Sequence, residues 1–218
     1  MIKESAINRI DALVEKVNEI VDDGDEFKGY KASPLLKEIL DLLEENSDKE
    51  QYTLEVQYDA YRFVADIYKM MGRFSLAAKY HEKALDASIV LYQRYNEKMK
   101  DIDSLLYDIL KERNYYVDDD GLDVLAKVRG IGLIDEHIID KINDRVMSRR
   151  RTLKNDPVEM SEAYLAIIDE IEEKIDKKRT IFGMGACFEI WNLKAQYLAE
   201  KGISWSSPAM LNPRVMFD

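Results

Sequence analysis

Apolar residues recur at intervals of three or four positions along almost the whole chain. In the first segment they fall at Ile10, Leu13, Val17 and Ile20, so they lie on one stripe of an α-helix. The same spacing continues to about residue 202, and strand-like alternation is scarce. With only 9 glycines and 4 prolines in 218 residues, the turn signals of an all-β fold are also scarce. We therefore predict an all-α protein, an antiparallel array of roughly eight or nine helices.

Capping residues mark several helix ends. Ser33 before Pro34 has the pattern of an N-cap followed by a first-turn proline. Asp156, Pro157 and Glu159 have the pattern of a capping box, in which Glu159 is the acidic residue. From these marks and the apolar spacing, the predicted helices cover approximately residues 7–21, 34–45, 51–71, 74–95, 105–110, 122–128, 134–148, 157–175 and 186–201.

The chain has the length of one ordinary domain. We treat residues 1–218 as a single helical domain, with N-terminal helices in 1–50, a central region in 51–117, C-terminal helices in 118–202 and a tail in 203–218. Pro208 and Pro213 prevent the last helix from continuing into the tail. Because Trp205 and Phe217 are too apolar for a solvated terminus, we predict an extended tail that packs across the helices.

The charge of the chain limits its partners. Asp and Glu number 43 against 32 for Lys and Arg, which gives a net charge of −11. An acidic surface repels phosphate groups, so we expect no nucleic-acid partner and no anionic membrane partner. No apolar run approaches the length that spans a bilayer, and the first residues lack the apolar core of a signal peptide. We expect a cytoplasmic protein.

Small, aromatic and glycine residues follow a specific spacing in the central region. They are Tyr61, Val64, Ala65, Tyr68, Gly72, Phe74, Ala77, His81, Ala84 and Leu85. Gly72 permits the positive φ of a tight turn, and Ala77 and Ala84 allow two helix axes to approach closely. Residues 56–89 resemble one tetratricopeptide repeat, a helix–turn–helix unit of about 34 residues. His81 departs from the family pattern, which has an aromatic residue there.

This resemblance implies a tetratricopeptide-like, right-handed helical array in residues 51–117. In such proteins the first helix of each repeat lines a groove that accepts a peptide or a partner helix. The matching residues here are Asp59, Arg62, Asp66, Lys69 and Met70. They lie on the predicted third helix, α3 (residues 51–71), and we call them the α3 row. The first functional hypothesis is a non-catalytic scaffold or adaptor that binds a protein or peptide through this row. A solvated, charged helix face is the alternative interpretation of the same residues.

Near the C-terminus, Cys187, Trp191 and Lys194 are spaced to share one helix face, and Trp205 follows in the tail. With the Lys201-Gly202-Ile203 turn and the final Phe217-Asp218, this segment resembles the ending of a group of uncharacterised bacterial proteins, a resemblance that implies no activity. The shared face either packs against Trp205 or frames a small pocket. Both interpretations stay open at the level of sequence.

Linear motifs for metals and cofactors do not fit. Neither His81 nor His137 follows a Glu by three positions, as carboxylate-bridged metal helices require. The residues after His81 lack the second His of a zinc-protease helix. A calcium loop centred on Gly121 would place Tyr116 and Lys127 at ligand positions. We therefore expect no metal, no cofactor and no catalytic residues.

The only cysteine, Cys187, excludes an internal disulfide. Two alternatives to the scaffold hypothesis remain: a regulatory protein that senses a peptide or small molecule, and a thiol enzyme that uses Cys187 with His81 or His137. A homodimer through the first helix is a further candidate, because Ile10, Leu13 and Val17 have near-heptad spacing. We expect that helix to dock on its own bundle instead.

Overall fold

The computed structural model describes residues 2–22, 26–117, 121–148, 153–183 and 185–217. Within these ranges the fold is all-α and contains no strand, which confirms the predicted fold class. The helices are α1 (Glu4–Val21), α2 (Ser33–Glu45), α3 (Gln51–Met70), α4 (Phe74–Tyr95), α5 (Ile102–Arg113), α6 (Leu122–Ile131), α7 (Glu136–Ser148), α8 (Glu162–Leu165), α9 (Ile168–Lys178), α10 (Ala186–Glu200) and α11 (Pro208–Leu211). Two 3-10 segments, Glu26–Ala32 and Pro157–Met160, precede α2 and α8.

Helices α3 and α4 form the central pair of the molecule. Gly72 lies in the turn between them with a φ of 72°, as the repeat pattern predicts. Ala77 and Ala84 are both fully buried, so their small side chains allow the close approach of neighbouring helices. Tyr80 stacks against Tyr61 and Tyr68 of α3, with ring centroids 6.4 Å and 5.7 Å apart.

Among the described residues there are two hydrophobic cores, and the larger one surrounds this pair and extends from Ile2 to Val146. Its apolar stripes face inward because each helix carries them at the spacing described above. The first helix docks on the bundle as expected, since Ile10, Leu13 and Val17 are all buried in this core. Helix α5 packs against α4, and α7 packs against α5.

The smaller core is formed by α8, α9, α10 and the tail. Its buried members are Tyr164, Ile168, Ile171, Ile175, Leu198 and Trp205. The tail packs on these helices, and the edge of the Phe217 ring meets Trp191 at a centroid distance of 5.2 Å. The tail is extended over residues 203–207, then forms one helical turn, α11, where Ser207 Oγ accepts a hydrogen bond from the Met210 amide. A second turn follows at residues 213–214.

One predicted helix cap and one predicted continuous helix were wrong. Ser33 does not cap α2, because its hydroxyl donates instead to Asp169 Oδ1 at 2.9 Å, and α2 already begins at Ser33. The predicted helix over 157–175 is interrupted at Ser161, which has an extended backbone and caps α8 through the Tyr164 amide. A second break, the turn at residues 166–167, separates α8 from α9, and Ile168 rather than Ile167 is buried.

Candidate functional site

Hydrogen bonds and ion pairs join the two cores along a polar boundary. Arg73, at the turn between α3 and α4, binds Asp169 Oδ1 at 2.5 Å and Glu172 Oε2 at 2.9 Å on α9. The Tyr30 hydroxyl donates to Asp176 Oδ2 at 3.1 Å. The Asn155 amide donates to the carbonyl oxygen of Tyr115 at 3.2 Å. We call this boundary the junction.

A cavity of about 200 Å³ lies at the junction. It opens between the α3–α4 turn, the segment after α5, and the helices and tail of the smaller core. Its aromatic and charged walls are formed by Tyr115, Tyr116, Tyr164, Trp191, Trp205, Arg73, Asp156, Glu159, Glu172 and Lys194. We call this space the junction cavity.

Glu159 organises the polar contacts of the junction cavity. Its Oε1 accepts from Lys194 Nζ at 3.0 Å and from the indole Nε1 of Trp205 at 2.7 Å. Its Oε2 accepts from the Tyr116 hydroxyl at 3.0 Å. The expected capping-box role of Glu159 is thus replaced by long-range contacts that hold three cavity walls together.

Lys194 is surrounded by aromatic rings as well as by Glu159. Its Nζ lies 4.6 Å from the ring centroid of Trp205 and 5.1 Å from that of Tyr164. These distances are in the range where a cation is attracted by the face of a ring. The helix periodicity that places Trp191 and Lys194 on one face of α10 therefore also places both of them at the cavity.

Burial affects the titratable groups of the junction cavity. It raises the pKa of the Glu172 carboxyl above its usual value, against the opposing effect of the Arg73 and Lys194 charges. It also raises the pKa values of the Tyr116 and Tyr164 phenols, with the Glu159 charge as the next contribution in both. At neutral pH both phenols are therefore uncharged hydrogen-bonding groups.

Three of the residues predicted near the tail do come together at this cavity: Trp191, Lys194 and Trp205. Cys187 does not line it and is a half-buried residue one helical turn before Trp191. The other lining residues could not be predicted to meet there, because Gly72, Tyr116 and Glu159 are distant in sequence. Gly72 and Glu159 did carry signals in the sequence, but these pointed to a tight turn and to a helix cap.

Two charged members of the α3 row, Arg62 and Lys69, bind residues of α5 and its N-terminal end. Arg62 pairs with Asp101, and Lys69 Nζ lies 2.7 Å from Asp108 Oδ1. Asp66 Oδ1 faces the imidazole Nε2 of His81 at 3.5 Å. Asp59 is exposed, and the Met70 side chain at the end of α3 is 63% exposed.

No protein-family model, no curated protein and no solved structure matches the chain. In the ranges that the structure describes, no helix combines the length and the apolar character needed to cross a membrane.

Proposed function

We propose that this chain is a non-catalytic binding protein with a regulatory role, and that its ligand is a small polar molecule with a planar part. The supporting observation is the junction cavity, where aromatic rings and charges of both signs meet in one recess. This is the sensor hypothesis of the sequence analysis. We favour it over a peptide groove because Arg62 and Lys69 of the α3 row already bind carboxylates at and beyond the start of α5.

The size of the junction cavity limits its ligand. An engineered apolar cavity of about 150 Å³ is known to hold benzene. A space of about 200 Å³ therefore has room for a single ring or a molecule the size of an amino acid. Larger cofactors, such as dinucleotides, exceed this volume.

The chemistry of the walls limits the ligand further. Trp191, Trp205 and Tyr116 offer ring surfaces for a planar group. Glu159 is an acceptor, and Arg73 is a donor whose buried Nε makes no hydrogen bond to any described residue. Since most of the wall charges are paired, a ligand that carries both donor and acceptor groups can join these networks without leaving a buried charge unpaired.

The position of the junction cavity supports regulation. Its walls come from both cores: Met71, which packs against the larger core, lines one part, and Tyr164 and Trp205 of the smaller core line another. A ligand that contacts both parts binds more strongly when the two cores are held together at the junction. Such a difference in affinity between two conformations shifts their populations toward the one that binds better.

Tryptophan fluorescence tests this proposal directly, because both tryptophans of the chain line the cavity. We would screen amino acids, nucleobases and other single-ring metabolites by thermal shift and titrate the hits by fluorescence. A ligand should raise the melting temperature and change the tryptophan emission. The matched variants are Lys194→Met in the cavity and Lys174→Met at an exposed position of α9. Lys174 forms an ion pair with Glu170 there.

Binding that is weakened by Lys194→Met and Glu159→Gln but unchanged in Lys174→Met supports the proposal. If the folded protein binds none of these compounds at millimolar concentration, or if its ligand is insensitive to both cavity variants, the proposal is wrong.

A peptide-binding face on the α3 row is the second candidate. The observation that favours it is Met70, an apolar side chain 63% exposed at the end of α3, with exposed Asp59 at the other end of the row. A peptide whose affinity falls in Met70→Ser and Asp59→Lys, but not in Lys194→Met, would favour this site over the junction cavity.

A further inference from the structure

His81, the residue that departs from the repeat pattern, lies at the centre of a second cluster. Its side chain is fully buried on α4, and its Nδ1 lies 2.8 Å from Glu112 Oε2 on α5. The Glu112 side chain is only 1% exposed. On the other side of the ring, Nε2 faces Asp66 Oδ1 at 3.5 Å and makes no hydrogen bond to any described residue.

A positive charge on the Nε2 side of the ring would suit this arrangement. Where Glu112 is ionised it accepts, and Nδ1 of His81 then carries the hydrogen of that contact. The lone pair of Nε2 would then face a second carboxylate, Asp66. Either a proton or a metal ion between them removes this repulsion.

A third carboxylate, Asp108, makes the site suitable for a metal. One ligand atom from each of Asp66, His81 and Asp108 lies within 4.8 Å of the other two. Bonds of about 2.0–2.2 Å to Zn²⁺ require ligand atoms about 3.3–3.6 Å apart in a tetrahedron. Side-chain rotations that move these atoms by about 1 Å therefore bring all three into range. The Asp66 side chain is 49% exposed, which gives an ion a path from solvent.

The surroundings match those of a metal-bound histidine. Histidines that bind metals usually donate their other ring N–H to a carboxylate, which fixes the tautomer and the ring orientation. Glu112 occupies that position on His81. Lys69 Nζ lies 2.7 Å from Asp108 Oδ1 and 3.8 Å from Glu112 Oε1. Three carboxylates and this one ammonium leave two negative charges, which a divalent ion neutralises.

From these contacts we propose that Asp66, His81 and Asp108 bind a divalent transition-metal ion, with Glu112 as the carboxylate that orients His81. One nitrogen and two oxygen ligands, with water in a fourth position, suit Zn²⁺ best. Because the ligands belong to α3, α4 and α5, the ion holds three helices together. This site shares no residue with the junction cavity, and it stands independently of the function proposed there.

The two histidines of the chain supply a matched pair of variants, since His137 is exposed on α7. We would titrate metal-free protein with Zn²⁺ by calorimetry and with Co²⁺ by visible spectroscopy, which reports the ligand geometry. The expected result is one ion per chain, a higher melting temperature with metal, and loss of both effects in His81→Gln but not in His137→Gln.

Because His81→Gln changes a buried residue, Asp66→Asn is the second test variant. Asp66 is half exposed, so this change should leave the fold intact while it removes a ligand. Glu112→Gln should weaken the metal affinity about 10- to 100-fold. If wild-type protein binds neither ion at millimolar concentration, or if Asp66→Asn and His81→Gln both bind as wild type does, the proposal is overturned and a protonated His81 occupies this place.

Discussion

Arg73 and Glu172 lie 99 residues apart in sequence, and their side chains form an ion pair of 2.9 Å. The Arg73 side chain is only 5% exposed and also binds Asp169 and the Ser33 hydroxyl. One guanidinium at the α3–α4 turn thus joins α2 and α9 and forms part of the wall of the junction cavity. The relative position of the two cores depends strongly on this side chain.

Replacing Arg73 by Met should therefore destabilise the protein markedly. The change leaves Glu172, whose side chain is 17% exposed, without its ion-pair partner. Removing one partner of a buried ion pair typically costs about 3–5 kcal/mol of unfolding free energy. Arg9→Met is the control, because Arg9 pairs with Glu38 at exposed positions and should cost no more than about 1 kcal/mol. Urea denaturation would measure both, and equal losses would contradict the assigned role of Arg73.

Enlarging Ala77 tests the close packing around α3 and α4. Ala77 is fully buried, so the extra carbons of Ala77→Leu have to displace core side chains. Overpacking of this kind costs about 1–3 kcal/mol. Ala199→Leu adds the same atoms at an exposed position of α10 and should be close to neutral. If thermal unfolding showed equal stabilities for the two variants, the small side chain at position 77 would not be needed for packing.

Local patterns in the sequence were sufficient to predict the helices but not the junction. The apolar spacing and Gly72 depend on neighbours within one or two turns, and the structure confirms eight of the nine predicted helices, all except the one over 157–175. The interruption at Ser161 was missed because a continuous apolar spacing through Ile167 and Ile171 also fits one helix. The Ser33 hydroxyl was assigned to a cap, whereas a residue 136 positions away binds it.

The same holds for the candidate sites: residues that share one helix could be predicted to lie together, but residues from different helices could not. Trp191 and Lys194 are three residues apart on α10, so their common face was predictable. Asp66, His81 and Asp108 come from three helices, and no linear motif relates them. Only the departure of His81 from an aromatic position hinted that the interior is polar there. The partners of such a residue depend on how the helices pack, which single-sequence patterns do not specify.

Replacement by alanine should destabilise the protein to different extents at two glycines that have positive φ. Gly72 and Gly121 have φ values of 72° and 61°, so a Cβ strains the backbone at both. An added Cβ at Gly72 meets no atom within 4 Å, and we expect Gly72→Ala to cost about 1–2 kcal/mol. At Gly121 it would overlap Cδ2 of Leu110, a fully buried side chain. Gly121→Ala should therefore cost about 1–3 kcal/mol more. If Gly72→Ala and Gly121→Ala unfolded at the same urea concentration, the expected difference would be contradicted.

Among the phenols with raised pKa values, Tyr30 and Tyr68 should titrate near pH 12 and make the folded state sensitive to alkali. Burial, together with the Asp176 hydrogen bond, raises the pKa of Tyr30 to about 12, and burial raises the pKa of Tyr68 to about 12. An unfolded chain loses these protons near pH 10, whereas the folded chain keeps them until about pH 12. This contribution to stability is complete below about pH 10 and is lost as the pH rises from about 10 to about 12.

The ultraviolet absorbance of tyrosinate measures the phenols that ionise near pH 12. Tyr30→Phe should remove one phenol from this late phase of the titration. Asp176→Asn should move the Tyr30 titration to lower pH, and an unchanged late phase in both variants would exclude the Tyr30–Asp176 contact.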